Sequence, residues 1–338
     1  MSFETVRYTP ERRAALVGLL ARVGTTQLSE EEFSWWFERN PGGEGIVSLA
    51  VHGEEVVGVA AMSFFRTALE GETTRLAIPV NVATDARYRG QGVFSRLELE
   101  NEAAAAAAGS PLTVTFPNAR SHPIFVGRLG WTDLPRLRLW ARPLRVAAVV
   151  RYALGRPGRH GRLRDPSPET FAARGLQVRP VERFGPDLDG LGRRAAAGYG
   201  SHFVRDAEYL NWRYLESPRD YRCFAAYRGG ELAGVAVVGH TFKHGVSAGF
   251  IADLIAAPED GAAARALVAR ALAEVGGGAD ALVVLPPRAR AHRRALLAAG
   301  FAPTNKRLRF IGKVLRDGAR LDPRPASWHF TLGDFDFF

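Results

Sequence analysis

The stretch Val82-Ala83-Thr84-Asp85-Ala86-Arg87-Tyr88-Arg89-Gly90-Gln91-Gly92-Val93-Phe94 holds two glycines and two arginines between a β-rich run and a helix-forming one. A glycine turn at a helix start leaves backbone N–H groups without acceptors, and the helix dipole adds partial positive charge there. Such a site suits an anion, a pyrophosphate above all. A side chain at Gly90 or Gly92 would hold the ligand off the backbone, and Arg87 and Arg89 bring charge beside it. A basic turn of this kind is also common as plain connection. The anion reading therefore needs a strand before it, a long amphipathic helix after it, and a second strand–helix unit downstream.

Other chemistry-bearing residues are sparse. The single cysteine, Cys223, lies in the run Cys223-Phe224-Ala225-Ala226-Tyr227 and reads as a small buried apolar residue of a strand. It excludes an internal disulfide framework and fits a reducing, cytoplasmic setting. The eight histidines show no paired ligand spacing, so no metal is expected. No Ser-His-Asp or Cys-His set assembles from sequence order. His122 is the one histidine weighed for acid–base work.

These residues belong to a chain of 338, long enough for two domains. With 46% hydrophobic and 24% charged residues it is globular in composition. The formal charge is +10, and 42 of its 45 basic residues are arginine, a bias that with abundant Ala and Gly suggests a GC-rich genome. A positive field still attracts a ligand with several phosphates. Nucleic acid is not expected, because no stacking aromatics alternate with a basic stripe. No apolar run reaches a membrane span, and the N-terminus lacks a signal core.

The chain contains itself twice. Trp36 matches Trp212, Gly53 matches Gly229, and Glu55-Val56-Val57-Gly58-Val59-Ala60 matches Glu231-Leu232-Ala233-Gly234-Val235-Ala236. Further on, Pro117, His122 and Gly130-Trp131 match Pro287, His292 and Gly300-Phe301. Ordered matches over so long a span imply two lobes of one fold. In the first copy the pattern predicts helices over 11–23 and 30–38, a hairpin of strands 46–52 and 55–65, and a strand over 74–84. The glycine turn follows, then a helix over 93–108, a strand over 111–116, a helix over 120–128 closed by Gly130, and a strand over 134–142. The expected class is α/β (α+β), each lobe a mixed twisted sheet flanked by helices. Domains are expected at 1–145 and 176–338, with a basic Pro/Gly linker over 146–175. Pro143–Leu154 reads as an interlobe helix in preference to a membrane-surface one.

The order of elements and the turn Tyr88-Arg89-Gly90-Gln91-Gly92-Val93-Phe94 resemble the GCN5-related N-acetyltransferase (GNAT) superfamily, in a bacterial tandem form of unassigned substrate. The family signature is Gln/Arg-x-x-Gly-x-Gly/Ala. It fits as Arg87…Gly90…Gly92, or as Arg89…Gly92…Phe94. The second register suits the apolar spacing of Val93, Leu97 and Leu99, and puts Phe at a small-residue position. The resemblance implies an acyl-CoA, most simply acetyl-CoA, as co-substrate. Val82, Ala83 and Thr84 would pair with the pantetheine arm, and Arg89, Gly90, Gln91, Gly92, Val93 and Phe94 would hold the pyrophosphate. Asn118 would flank the thioester.

Catalytic candidates under this resemblance are His122, Asn81 and Thr84. The tyrosine with which many members protonate the leaving thiolate is replaced by Val126. Some tandem relatives place their C-terminal carboxylate in the site, here Phe338. In the second copy the matching turn, Pro258-Glu259-Asp260-Gly261-Ala262-Ala263-Ala264, is acidic and opposes a coenzyme. His202, Asp206, Tyr209, Asn211, Trp212, Arg213 and Tyr214 either face an acceptor or form a helix with Tyr209 and Trp212 in the core. The expected activity is acyl transfer to a small amine, such as an amino sugar or amino acid. A FemAB-like aminoacyl-transferase and a silent binding module are the alternatives. Association is left open, a homodimer included.

Overall fold

Two long hairpins dominate the first unit, because β3 is apolar at nearly every position and is covered on both faces. In the computed structural model, residues 2–24, 28–145, 147–148, 151, 154, 171–173, 175–243, 245–324 and 327–335 are described. The chain divides into two compact units. The first is Met1–Arg136 with Arg309–Pro325, and the second is in the main Leu137–Leu308 with Ala326–Asp336.

In the first unit the strands run in the order β1 (Glu4–Arg7), β2 (Ile46–His52), β3 (Glu55–Leu69), β4 (Glu72–Thr84), β5 (Leu112–Thr115) and the end of β14 (Ala302–Val314). Neighbours are antiparallel except β4 and β5, which are parallel. The β3–β4 hairpin is longer than its alternation predicted. It closes on Glu70 and Gly71, at φ 52° and 92°, the left-handed pair that matches strand twist.

Alternation along β3 assigns the covering helices. Phe64 shares a core cluster with Ala105 of α3 (Val93–Ala107), while Phe65 meets the Trp36 ring at 6.1 Å. Neighbouring strand residues point to opposite faces, so α3 covers one face and the Trp36 segment the other. That segment is α2 (Glu30–Phe33), capped reciprocally by Ser29 and Glu32, which widens into a π turn over Ser34–Glu38 and buries Trp35, Trp36 and Phe37. The first helix, α1 (Arg13–Val23), starts two residues later than expected because Pro10–Arg12 form a 3₁₀ turn. After β5 comes α4 (His122–Arg128), which likewise starts two residues late.

In the second unit the sheet order is the end of β6 (Thr132–Pro143), β13 (Ala281–Val284), β12 (Val246–Ala256), β11 (Glu231–Lys243), β10 (Tyr221–Arg228), β8 (Leu176–Pro180) and β7 (Phe171–Ala173). Its helices are α5 (Asp187–Ala196), α6 (Ala207–Leu210) with a π turn over Asn211–Leu215, α7 (Gly261–Val275) and α8 (Arg290–Ala298). A short parallel pair joins β9 (Ser201–Phe203) to β15 (Trp328–His329) of the tail. Trp36 and Trp212 thus both occupy one-turn π widenings.

Each sheet ends on a strand from the other sequence copy. Trp140–Pro143 of β6 pairs with β13 in the second unit, and Ile311–Val314 of β14 pairs with β5 in the first. Most of the expected linker, 155–170, and the C-terminal Phe338 lie outside the described residues, as does much of Pro143–Leu154.

Candidate functional site

A bulge shapes the end of β4. Val59 pairs with Ala83 and Ala61 with Val80, so Ala60 alone faces Asn81 and Val82. Asn81 takes φ 51°, a left-handed conformation that Asn tolerates better than most residues. Its Oδ1 is buried and has no hydrogen-bond partner among the described residues. Beside it, β4 meets β5 at the single register pair Ala77–Thr113. Side chains stitch the two strands there: Thr113 Oγ1 donates to the Ala77 carbonyl at 2.6 Å and Thr115 Oγ1 to that of Pro79 at 2.9 Å. β4 runs on to Thr84 with β3 as its ladder partner, so its last turn of strand is free on the β5 side.

The glycine turn follows. Asp85 accepts from the Arg87 backbone N–H at 3.0 Å, a short 3₁₀ turn runs Ala86–Tyr88, and Tyr88 is buried against Val57 and Val93. Tyr88 is a packing residue. Gly90 and Gly92 sit at φ 77° and 80°, and an added Cβ at either meets nothing within 4 Å. Glycine is therefore required here by backbone conformation, and the space in front of it is open. Gly92 is the N-cap of α3 and no side chain caps the helix. The first internal bond is Arg96 N–H to the Gly92 carbonyl at 3.0 Å, which leaves the N–H groups of Val93, Phe94 and Ser95 without helical acceptors.

The two arginines differ. Arg87 is tied to Asp85, with Nε–Oδ1 at 3.0 Å, and to Glu55. That pairing holds the Asp85 carboxyl down at about 2, chiefly through its hydrogen bonds to Arg87. Arg89 makes one long contact, Nε to the Thr84 carbonyl at 3.4 Å. Arg89 is therefore the arginine with charge to offer an anion. Gln91 folds back to donate to the Arg87 carbonyl at 3.1 Å.

Val93 is buried with Leu97 beside Gly58, and Phe94 packs against Phe125 with ring centroids 5.2 Å apart. The Phe94 ring joins Phe125, Leu129, Trp131 and Ile311, with Val82, Ile124 and Val126 at the margin. The strand end, the helix start and the first turns of α4 thus meet in one apolar cluster. Ala83 is buried, Thr84 pairs with Gly58, and Val126 presents an alkyl group where a tyrosine was sought.

Asn118 and His122 have local duties. The Asn118 Oδ1 accepts from the N–H groups of Arg120 and Ser121 at 2.8 and 3.0 Å, securing the entry to α4. His122 Nε2 donates to Asp133 Oδ1 at 2.7 Å. Its counterpart differs: His292 is 1% exposed, donates from Nε2 to the Ala257 carbonyl at 2.9 Å, and burial lowers its imidazole below the ordinary histidine range.

The second copy closes the same features. Asp260 caps α7 by accepting from the Ala263 N–H at 3.0 Å and pairs with Arg228, so a carboxylate already occupies that helix start. The His202–Tyr214 segment secures the chain's own tail. Arg213, 0% exposed, donates to the Gly333 and Phe335 carbonyls at 2.9 and 3.0 Å. Arg205 bridges Asp253 and Asp334 at 3.1 and 2.6 Å, and Tyr214 donates to Asp253. Asp206 caps α6 and Asn211 holds both backbone groups of Phe184. His202 Nδ1 donates to the Gly200 carbonyl at 2.7 Å. Tyr209 and Trp212 are buried, the core alternative of the two weighed. Cys223 is buried as expected, and burial pushes its thiol up to about 12.

Among the described residues no group of three metal-ligating side chains occurs, and no helix is long and apolar enough to cross a membrane. The sequence reading missed Glu98, which is fully buried on α3. Its signal was an acid set one turn after Phe94 and one turn before Glu102 on an otherwise packing face.

Residues 10–133 match the model of the GNAT acetyltransferase domain. No curated protein matches the chain in sequence. Among solved structures it is similar to a GCN5-related N-acetyltransferase from Anabaena variabilis, at 12% identity and TM-score 0.63, covering 93% of this chain and 73% of that one. It is also similar to Saccharomyces cerevisiae N-myristoyltransferase with bound myristoyl-CoA, at 14% identity and TM-score 0.63, covering 92% and 82%. A GCN5-related N-acetyltransferase from Kribbella flavida shares 17% identity at TM-score 0.59, covering 93% and 71%. Residues 10–133 thus resemble a GNAT acetyltransferase domain in sequence, and the chain shares the fold of these solved acyltransferases.

Proposed function

We propose that this protein transfers an acyl group, acetyl in the first instance, from coenzyme A to a small amine such as an amino sugar or amino acid. The observation that carries the reading is the uncapped start of α3 behind Gly90 and Gly92, at the end of a bulged strand that leaves its parallel neighbour. The N–H groups of Val93 and Phe94, with Arg89, suit a pyrophosphate. The free side of β4 at Val82–Thr84 suits the amide-bearing pantetheine arm. The coenzyme would supply an already activated thioester, so the protein's work is to position the amine and meet the charge that develops on the carbonyl oxygen. Asn81, at the bulge, and Thr84 are the residues we assign to that oxygen. His122 stays a candidate base in the pair with Asp133.

The similarity to a structure with bound myristoyl-CoA makes acyl length the second question, after acetyl transfer itself. An aminoacyl-tRNA donor is disfavoured because the cradle is intact. A silent binding module would show no enzyme-dependent release of CoA. Isothermal titration with acetyl-CoA and CoA tests the reading, with Gly92→Asp as its control. That change adds a carboxylate at a left-handed position in the cradle, and binding should fall about 100-fold or more.

A further inference from the structure

α3 presents two parallel rows of side chains spaced one turn apart. One row lies over β3: Leu97 sits beside Gly58, and Asn101 Nδ2 donates to the Ala60 carbonyl at 2.8 Å. Ala60 is the residue opposite the β4 bulge. The other row is Phe94, Glu98 and Glu102. Phe94 belongs to the cluster with Val82 and Val126, and Glu102 accepts from Trp131 Nε1 at 2.7 Å and from Lys313. Glu98 lies one turn from each of these two, at a height on the helix between Leu97, which sits beside Gly58, and Asn101, which is bonded to Ala60. It is 0% exposed, and neither carboxylate oxygen has a hydrogen-bond partner among the described residues. Burial, followed by the neighbouring Glu102, holds its carboxyl well above the usual glutamate range, with Lys313 opposing.

The duplicated helix shows that the fold does not require an acid here. Leu267 lies against Gly234 as Leu97 lies against Gly58. That register sets Val268, 1% exposed, at the place of Glu98, and Leu272 at the place of Glu102. A buried carboxyl without a partner is unfavourable, and the copy with the acidic loop has an alkyl group instead. The acid occurs in the copy that has the open cradle.

We propose that Glu98 is the proton donor to the leaving thiolate, the role for which Val126 offers an alkyl side chain. The proposal rests on the acyltransferase reading above. The amine nitrogen attacks the thioester carbonyl carbon and a C–N bond forms. As the tetrahedral adduct collapses, the C–S bond breaks and its electron pair stays on sulfur. The Glu98 carboxyl proton passes to that sulfur, giving free CoA thiol. The proton lost by the amine goes to solvent, and solvent returns one to Glu98, so the net reaction is thioester plus amine to amide plus thiol.

Glu98→Gln keeps size and polarity without a transferable acid proton. Acetyl-CoA affinity by titration should stay within about twofold of the parent protein. Enzyme-dependent CoA release, with hydroxylamine as a generic small amine, should fall about 100-fold in kcat. An acetyl thioester of a more acidic thiol should recover most of that loss. Infrared difference spectra should show a protonated-carboxyl band that Glu98→Gln lacks and that shifts when acetyl-CoA binds. Glu98→Val, the side chain of the second copy, serves the same measurements if the amide variant folds poorly. Unchanged kcat in either variant, or a band indifferent to acetyl-CoA, overturns the assignment. If the parent protein itself binds no acetyl-CoA, the acyltransferase reading fails first, and the infrared band alone does not rescue it.

Discussion

The two copies of the repeat solve one local problem in opposite ways. Each places a strand end, a short loop and a fifteen-residue helix in sequence. In the first, Gly92 opens the helix and no side chain answers its N–H groups. In the second, Asp260 answers one of them and Arg228 neutralises Asp260. The first bulge carries Asn81, whose Oδ1 has no hydrogen-bond partner among the described residues; the irregularity of β12 lies beside Asp253, which is locked between Arg205 and Tyr214 and faced by Gly333 of the tail turn Leu332–Asp334. One helix start leaves its N–H groups uncapped, and the other has a carboxylate built in. A few capping and burial choices on a shared scaffold thus separate the proposed coenzyme site from its closed counterpart.

The contrast breaks most visibly at Arg205. Replacing it with Met leaves Asp253 and Asp334 buried without a counter-charge, which should cost about 3–5 kcal/mol in denaturant unfolding. Binding of acetyl-CoA by the surviving folded fraction should be unchanged, because that network belongs to the closed copy. A smaller effect is expected at Glu98. Its folded carboxyl titrates above the unfolded one, so its contribution to stability is complete below the ordinary glutamate range near pH 4.3 and is lost as pH rises toward the folded value. Glu98→Val should therefore flatten the decline in melting temperature above about pH 4.3, and stabilise the fold at pH 8 by about 1–3 kcal/mol. The arginine pair sharpens the cradle itself. Arg89→Ala should weaken CoA binding several-fold, and more so at low ionic strength, whereas Arg87→Ala should leave it within about twofold because Glu55 and Asp85 already hold that guanidinium.

Much of this architecture was legible because it rests on periodic apolar patterning and on glycine. The hairpin β2–β3, the helix after Gly92 and the mixed class of the fold all follow from residues that can do little else. Gly90 and Gly92 stood out as residues that let a ligand approach the backbone, and their left-handed φ adds a conformational reason for glycine that spacing does not reveal. Side-chain partnerships were less readable. Nothing in the order of residues said that Arg87 would be consumed by Glu55, or that Asn118 would brace the turn leading into α4. The Asp206–Tyr214 segment offered two readings, an acceptor face or a helix with Tyr209 and Trp212 in the core, because its residues are both polar and aromatic. Tyr209 and Trp212 are buried, and Arg213 holds the carbonyls of Gly333 and Phe335, more than a hundred positions away; such pairings depend on tertiary proximity that spacing does not encode. The exchange of last strands between β6 and β14 was invisible for the same reason, since either strand satisfies the same alternation.

The central claim is one coenzyme site per chain, in the copy with the uncapped helix. Calorimetric titration of the full chain with acetyl-CoA tests it directly, alongside Gly92→Asp and Asp260→Gly. The account predicts a stoichiometry of about one, lost in Gly92→Asp and retained in Asp260→Gly. Two equivalent sites, no binding by the parent chain, or binding that survives Gly92→Asp would contradict it.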